Sequence, residues 1–430
     1  MSDLPKGWIR ARIGELCLPI TKIDPRLQPD QSFTYIDIGA IEAETSQVGS
    51  PKVLLGVDAP SRARQVVAEG DTLISTVRVH LRNTAFVPSS LHGAVASTGF
   101  CILRPAPGTE PKFLFYRTLE SGFVNELASR QTGSSYPAVR DADVRSMSVA
   151  VPPLAEQRRI VDAVEGCFSR IDAAEEVLNS TTKMAAIALR QIRVALLQGW
   201  PTAALAEVAE VVSGNTPKGL TNVPGGTIPF YKVGDMNSSD GSTMATARTW
   251  LDESSLKSLG IRVRPAGTVI FPKRGGAIAT NKKRQLATPA AFDLNTMGVI
   301  AGERILQSYL LEWFQTIDLG ALSDGSNIPQ INNGDIGPLR IAVPPLDEQA
   351  RLVAEIRHYS EAVLQGSAMV VSGLKRAATL RRSVLARAFS GLLLPQDPNE
   401  ESADQLLQRV RAETPRRPDT NLARGRRRRE

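Results

Sequence analysis

Between Pro152 and Gly199, apolar positions recur at alternating spacings of three and four residues, which predicts one long amphipathic helix with a heptad seam. Proline suits the first helical turn, so Pro152-Pro153 marks where the helix begins. Gly199 and Pro201 mark where it ends, because neither residue type continues a helix well. The predicted seam consists of Val161, Val164, Phe168, Ile171, Leu178, Ala185, Leu189, Ile192 and Leu196.

A second stretch repeats this pattern at an offset of 192 residues: MSVAVPPLAEQ at 147–157 matches LRIAVPPLDEQ at 339–349. The register holds without a gap to Gly199 and Gly391, so one structural unit is used twice. We expect the two helices to pair with each other in an antiparallel manner, although a seam of this kind can also bind a helix of another protein. The second seam consists of Val353, Ile356, Ser360, Val363, Val370, Leu374, Ala377, Val384 and Ala388.

Upstream of each helix lies a segment of short β-rich runs separated by turn residues, with shorter helical patterns after them. TYIDIGAI and TLISTV are such runs in the first half, and IPFYKVGDM and GTVIFPK in the second. The pattern predicts an α+β fold, in which two tandem globular domains are joined by two long antiparallel helices in a pseudo-twofold arrangement. The predicted segments are globular domains at 1–153 and 200–345, helices at 154–199 and 346–394, and a basic, disordered tail at 395–430.

The charge distribution says more than the net charge of +7, since residues 415–430 alone hold seven arginines against Asp419 and Glu430. Within each predicted globular segment, the longest stretch without an acidic residue occupies a matching place. Such local positive surfaces are typical of a DNA-docking face, although an ordinary solvated basic face remains the alternative. The cations of 254–292 are Lys257, Arg262, Arg264, Lys273, Arg274, Lys282, Lys283 and Arg284. Those of 72–109 are Arg78, Arg82 and Arg104, accompanied by His80 and His92.

Each half ends in a glycine-containing polar loop, TGSSYPAV or DGSNIPQI, just before its long helix. Such loops suit a close approach to phosphates or base edges, although a turn that orders the helix entry is an equally good interpretation. Because Arg, Lys, Asn and Gln do most base reading, side chains of these types near the loops and acid-free stretches are the main DNA-binding candidates. In the first half the candidates are Arg78, His80, Arg82, Asn83, Arg130, Gln131, Ser134 and Tyr136. In the second half they are Lys273, Arg274, Asn281, Lys282, Lys283, Arg284, Asn327 and Gln330.

The sequence offers no candidate active site and no candidate metal site. It contains no G-x-x-x-x-G-K-[ST] loop and no Asn-Pro-Pro-aromatic signature of an amino-methyltransferase. The three histidines lack metal-ligand spacing, and the three cysteines form no C-x-x-C pair and are expected to be reduced. Asp37 and Asp235 recur at similar places, where a turn role is the better interpretation. No run is apolar enough for a membrane span or a signal peptide, so we expect a cytoplasmic protein.

These motifs resemble those of the specificity subunits of Type I restriction–modification enzymes. The resemblance covers about residues 4–394 and is carried by LPKGWIRARIGEL, GWPTAALAEVAEVVSGNTP, the two VPPL-x-EQ helix starts and LRRSVLARAFSGLLL. It implies two target-recognition domains that each read one part of a split, asymmetric double-stranded DNA sequence, with a helical spacer that fixes the gap. It also implies two methyltransferase subunits as partners and motor–nuclease subunits bound through them, so that S-adenosylmethionine, ATP and Mg²⁺ belong to those partners. The chain itself is expected to be non-catalytic.

Three other interpretations stay open at this point. A coiled-coil scaffold without specific DNA recognition explains the helices but not the matched acid-free stretches. A stand-alone nuclease or methyltransferase lacks a visible cofactor loop. A specificity subunit of a methylation-only system has the same sequence features as one that serves restriction, because the difference lies in other proteins.

Overall fold

The computed structural model describes residues 4–133, 136–238, 241–397, 399–400, 402–405 and 408. They form two compact units, in which helices and sheets are mixed as the α+β prediction requires. Unit 1 combines Met1–Glu176 with Gly373–Glu430, and unit 2 consists of Val177–Ser372. Each long helix therefore contributes one segment to each unit.

The two long helices run over Leu154–Leu196 and Leu346–Phe389, and every predicted seam position in them is buried or half-buried. In unit 1 the start of the first helix shares a core with the end of the second, where Val161 and Val164 pack with Ala388 and its neighbours. Further along the first helix, Glu175 accepts a hydrogen bond from Arg381 at 2.9 Å. Higher residue numbers in one helix thus meet lower numbers in the other, and the antiparallel prediction is confirmed in this unit.

Unit 2 contains the other two helix segments, which are also antiparallel. Arg193, near the end of the first helix, donates a hydrogen bond to the Ser360 hydroxyl at 3.3 Å. Three residues later, Leu196 packs against the core cluster that contains Leu352 and Ile356.

The glutamine at the end of each VPPL-x-EQ motif connects the long helix to a short helix of the same unit through hydrogen bonds. Gln157 is fully buried, and its Nε2 donates to the Pro152 carbonyl at 3.0 Å. Its Oε1 accepts from the backbone N–H of Glu110 at 2.9 Å, at the N-terminus of the helix Pro111–Leu119. Gln349 makes the corresponding bonds in unit 2. The repeated motif therefore has a structural cause.

Unit 1 is built on two four-stranded sheets. One has the order Lys52–Leu55, Ser32–Ile36, Val95–Ser97 and Ala63–Val66, with the middle pair parallel. The other is antiparallel and has the order Cys17–Leu18, Phe100–Pro105, Thr72–Ser75 and Thr84–Phe86. Two-stranded ladders pair Ile9–Arg12 with Ser148–Val151 and Ile41–Glu42 with Gln47–Val48. Its short helices are Pro111–Leu119, Ser121–Ser129 and Asp141–Arg145.

Unit 2 also has two main sheets, but with different numbers of strands. A five-stranded sheet has the order Ala209–Ser213, Thr296–Ala301, Val269–Pro272, Arg284–Leu286 and Thr243–Met244. A three-stranded sheet has the order Thr249–Leu251, Ile228–Tyr231 and Ala291–Phe292, and a ladder pairs Thr202–Ala204 with Arg340–Ala342. The short helices are Leu205–Val208, Glu253–Leu259, Gln307–Phe314 and Asn333–Ile336.

The chain after the second long helix differs from the disordered tail that was expected from residue 395. Ala403 is fully buried, and its backbone N–H donates to the Gly7 carbonyl at 3.0 Å. Arg159 and Glu400 form an ion pair at 3.0 Å in the same region of unit 1. The described part of this segment is thus packed against the start of the first long helix, and residues 409–430 lie outside the described residues.

Candidate nucleic-acid interface

Each unit carries two loops that the backbone joins in the same way. In unit 1 one loop is residues 76–83, and the described residues of the other are 130–133 and 136–138. An isolated bridge joins Val77 to Ala138. Beside it, the backbone N–H of Arg78 donates to the Pro137 carbonyl at 2.8 Å. The first loop contains a single turn, Val79–Leu81, flanked by Arg78 and Arg82 in the left-handed backbone region.

The paired loops of unit 2 are residues 273–283 and 323–330. There the bridge joins Arg274 to Gln330, and the backbone N–H of Gly275 donates to the Pro329 carbonyl at 2.8 Å. The turn Gly276–Thr280 follows, and it also ends in a left-handed residue, Asn281. The two units therefore build the same loop pair from different side chains.

The DNA-binding candidates of unit 1 differ in the solvent exposure of their side chains. Arg78, His80 and Tyr136 are exposed, whereas the candidates Arg82, Asn83, Arg130 and Gln131 are half-buried. Ser134 lies outside the described residues.

Two of the half-buried arginines of unit 1 have acceptors within the protein. Arg82 donates to the Leu119 carbonyl at 3.3 Å and to the Ser121 hydroxyl at 3.2 Å. Arg130 donates to the Glu126 carboxylate at 2.6 Å and to the Ser146 hydroxyl at 3.0 Å. These two guanidiniums hold the loops in place, which makes them weaker candidates for DNA contact than Arg78.

In unit 2 most candidates lie at the surface, but one does not. Arg274, Asn281 and Asn327 are exposed, whereas Lys273, Lys282, Arg284 and Gln330 are half-buried. Lys282 donates to the Asn237 side chain and Arg284 to the Lys283 carbonyl. Lys283 is the exception, because only 1% of it is exposed.

Lys283 is a structural residue in this conformation. Its Nζ donates to Asn281 Oδ1 at 2.7 Å and to the Ile317 carbonyl at 2.6 Å. Asn281 Oδ1 also accepts from the backbone N–H of Leu319 at 2.9 Å, so the amide cannot turn to a base without breaking both bonds. The selection of Lys283 as a DNA contact is therefore corrected, and burial lowers the pKa of its amine to about 8.

We expect Lys283→Met to change the pH dependence of stability. Between pH 8 and the ordinary lysine value of 10.5, the unfolded chain keeps this proton and the folded chain releases it, so the wild type gains stability as pH rises. Relative to the methionine variant, the gain should be on the order of 1–3 kcal/mol. Urea unfolding from pH 7.5 to 10.5, followed by tryptophan fluorescence, measures it, and parallel profiles for the two proteins would contradict it.

A polar cleft of about 230 Å³ in unit 2 adds two cations that the candidate set left out. Arg262 and Arg264 line it together with Ser213, whose hydroxyl accepts a hydrogen bond from Lys273 at 3.2 Å. Among the described residues, neither guanidinium has an ion-pair or hydrogen-bond partner. Both belong to the acid-free stretch 254–292, so charge clustering was the signal that pointed to them.

In unit 1, the clustering of cations in an acid-free stretch does not by itself identify a free cation, as Arg104 shows. Its guanidinium donates twice to Asp71, at 3.0 and 2.7 Å, and once to the Val66 carbonyl at 3.0 Å. Asp71 is fully buried and immediately precedes the acid-free stretch 72–109. This cation is therefore neutralised inside the protein and adds little to the local positive surface.

Four further groups that the sequence singled out are held within the fold. Asp37 accepts the backbone N–H of Ala40 at 3.0 Å, and Asp235 that of Lys232 at 2.8 Å, which confirms their turn roles. Cys17 and Cys101 are buried free thiols, and burial raises the pKa of each to about 12. None of the helices in the described part of the chain combines the length and apolar character that spanning a bilayer requires.

Comparison with known proteins gives one consistent result. Residues 198–363 match the family model described as Type I restriction modification DNA specificity domain. The StySPI specificity subunit of Salmonella potsdam is 23% identical over 95% of this chain and 96% of its own length. The HsdS subunit from Thermoanaerobacter tengcongensis is 30% identical, with a TM-score of 0.52 over 91% of this chain and 98% of that one. A chain from a structure of a type I R-M system is 29% identical, with a TM-score of 0.74 over 91% of this chain and all of that one.

Proposed function

The chain belongs to the family of Type I restriction–modification specificity subunits, and we propose from this premise that it reads a bipartite, asymmetric DNA target, one half-site per unit. The observation that carries the proposal is the loop pair that both units build around the same backbone hydrogen bond, 2.8 Å long in each. Because the two units share this loop backbone but carry different side chains on it, they are suited to bind different DNA sequences. Exposed residues at the frame, such as Arg78 in one unit and Asn327 in the other, are of types that bind base edges.

The long helices suit the binding of methyltransferase subunits. Several large apolar side chains lie on them outside the seam and are more than half exposed to solvent, which is unfavourable unless a partner covers them. They are Val177, Met184, Ile187, Leu364, Met369, Val371 and Leu380. We propose that two methyltransferase subunits cover such surfaces, that motor–nuclease subunits bind through them, and that the helices set the gap between the half-sites.

In this proposal the chain is a non-catalytic cytoplasmic subunit without a cofactor of its own. S-adenosylmethionine, ATP and Mg²⁺ would belong to the partner subunits. A chain that only positions catalytic partners on DNA needs hydrogen-bond donors and positive charge at its surface, and the exposed candidates of both units supply these.

We expect the double variant Arg262→Gln/Arg264→Gln to weaken DNA binding without changing which sequence is bound. Each phosphate contact that is lost should reduce the slope of log K against log salt by about 1, so the variant should lose about 2. Titration of the methyltransferase complex against target and non-target duplexes at several salt concentrations measures this slope. Arg351→Gln is the control for loss of a surface arginine outside the cleft, since this arginine pairs with Glu348 and Glu355 on the second long helix, and it should leave the slope unchanged.

The same titration separates the proposal from its alternatives. Salt-independent or absent DNA binding of the wild-type complex would favour a coiled-coil scaffold without specific recognition. A methylation-only system would give the same binding as a restriction system, and it differs only in the lack of a nuclease subunit.

A further inference from the structure

Arg78 occupies a backbone conformation that disfavours any side chain. Its φ is 50° and its ψ 54°, in the left-handed region where the Cβ of an L-residue approaches the following carbonyl. The structurally equivalent residue of unit 2 is Gly275, whose φ of 74° and ψ of −168° lie in a different positive-φ region that only glycine adopts readily. An arginine at a site where the other unit has glycine indicates that the side chain itself is needed.

The guanidinium of Arg78 lies over the ring of Tyr136, with its carbon 5.5 Å from the ring centroid. Tyr136 is 73% exposed, so the ring is a platform at the surface and not part of the core. In the described part of the chain, the Arg78 guanidinium has no hydrogen-bond or ion-pair partner, in contrast to those of Arg82 and Arg130. Its donors are thus held in place by stacking and remain available to a ligand.

We propose that Arg78 reads one guanine in the half-site of unit 1 and that Tyr136 is its positioning residue. This inference rests on the proposed function. Guanine presents O6 and N7 in the major groove as two adjacent acceptors, which match the two parallel donors of a guanidinium. A phosphate contact needs only positive charge, whereas base reading needs the two N–H donors of the guanidinium in a fixed orientation. The tyrosine ring and the constrained backbone fix that orientation.

The second half-site has no equivalent contact. Gly275 carries no side chain, and the residue that matches Tyr136 at the repeat offset is Ile328, which is 55% exposed and cannot form a cation–π pair. The guanine contact therefore belongs to one half-site only, in keeping with an asymmetric target.

The test measures methylation of synthetic duplexes by the complete methyltransferase complex, with every position of the wild-type target replaced in turn. Arg78→Lys keeps the positive charge but lacks the two parallel N–H donors. We therefore expect the preference for guanine over other bases at one position of one half-site to fall about 10- to 100-fold. Arg78→Gly should lose the same discrimination while the melting temperature stays equal or rises, because glycine suits this backbone. The control Arg158→Lys, an exposed arginine of unit 1, should leave the pattern unchanged.

Tyr136 variants test the positioning role. Tyr136→Phe keeps an aromatic face under the guanidinium and should retain discrimination, whereas Tyr136→Ala should lose it at the same guanine. Unchanged discrimination in Arg78→Lys together with weaker binding to every sequence in Arg78→Gly would identify a phosphate contact and overturn the inference. A unit 1 half-site without any G·C pair would overturn it as well. If the wild-type complex shows no bipartite target at all, the proposed function fails before this inference is reached.

Discussion

Replacing Asp71 by alanine is expected to lower the free energy of unfolding of unit 1 by about 3–5 kcal/mol. Asp71 is fully buried, and its carboxylate accepts two hydrogen bonds from Arg104 and one from the backbone N–H of Ala68 at 2.8 Å. Alanine would leave the guanidinium of Arg104, only 20% exposed in its side chain, without its counter-charge. Hydrogen-exchange mass spectrometry on the full chain separates this effect from unit 2, whose exchange should not change.

The double variant Asp71→Ala/Arg104→Met is the control for this prediction. Because it removes both charges together, it should recover at least half of the lost stability. A single variant within about 1 kcal/mol of the wild type would show that the pair is solvated and would contradict the burial argument.

Gln349→Leu is expected to destabilise unit 2 by about 3 kcal/mol, which corresponds to a melting temperature lower by about 6–12 °C. The side chain is fully buried, and its Oε1 accepts from the backbone N–H of Leu306 at 2.8 Å. Its Nε2 donates to the carbonyls of Arg304 and Pro344 at 2.9 and 2.8 Å. Leucine has a similar size but leaves these three backbone groups buried without partners.

Two control variants test whether the stability loss in Gln349→Leu comes from the buried hydrogen bonds of this side chain. Gln157→Leu should destabilise unit 1 instead, because its hydrogen bonds lie in that unit. Glu348→Gln changes the neighbouring residue of the motif, whose ion pair with Arg351 is on the surface, and should cost no more than about 0.5 kcal/mol. Equal effects of Glu348→Gln and Gln349→Leu would contradict the assignment of the motif to a buried anchor.

The long helices could be predicted from the sequence because their signal is local. A spacing of three and four residues places Val161 and Val164 on one helix face whatever surrounds them, and both are buried. The sheets could not be predicted in the same detail. Ser32–Ile36 lies beside Val95–Ser97, some sixty residues later, and such pairing depends on tertiary packing and not on the pattern within either strand.

The candidate site was predicted only in part, because residue type does not tell whether a cation is free. Arg82 and Lys283 are the right residue types in the right stretches, yet both donate their hydrogen bonds to carbonyls of their own unit. The acceptors at Leu119 and Ile317 are more than thirty residues away in sequence. The features that favour Arg78, its left-handed backbone and its contact with Tyr136, also arise only in the folded chain.

The most direct test of the account is a genome-wide map of methylated bases, made by single-molecule sequencing of cells that co-express this chain with a methyltransferase subunit of its system. The account predicts one split motif, two short specific blocks around a fixed unspecified gap. Exchange of residues 1–150 for those of another specificity subunit should then change one block and leave the other intact. Absent or uniform methylation despite a stable complex, or a change in both blocks after the exchange, would contradict the assignment of one half-site to each unit.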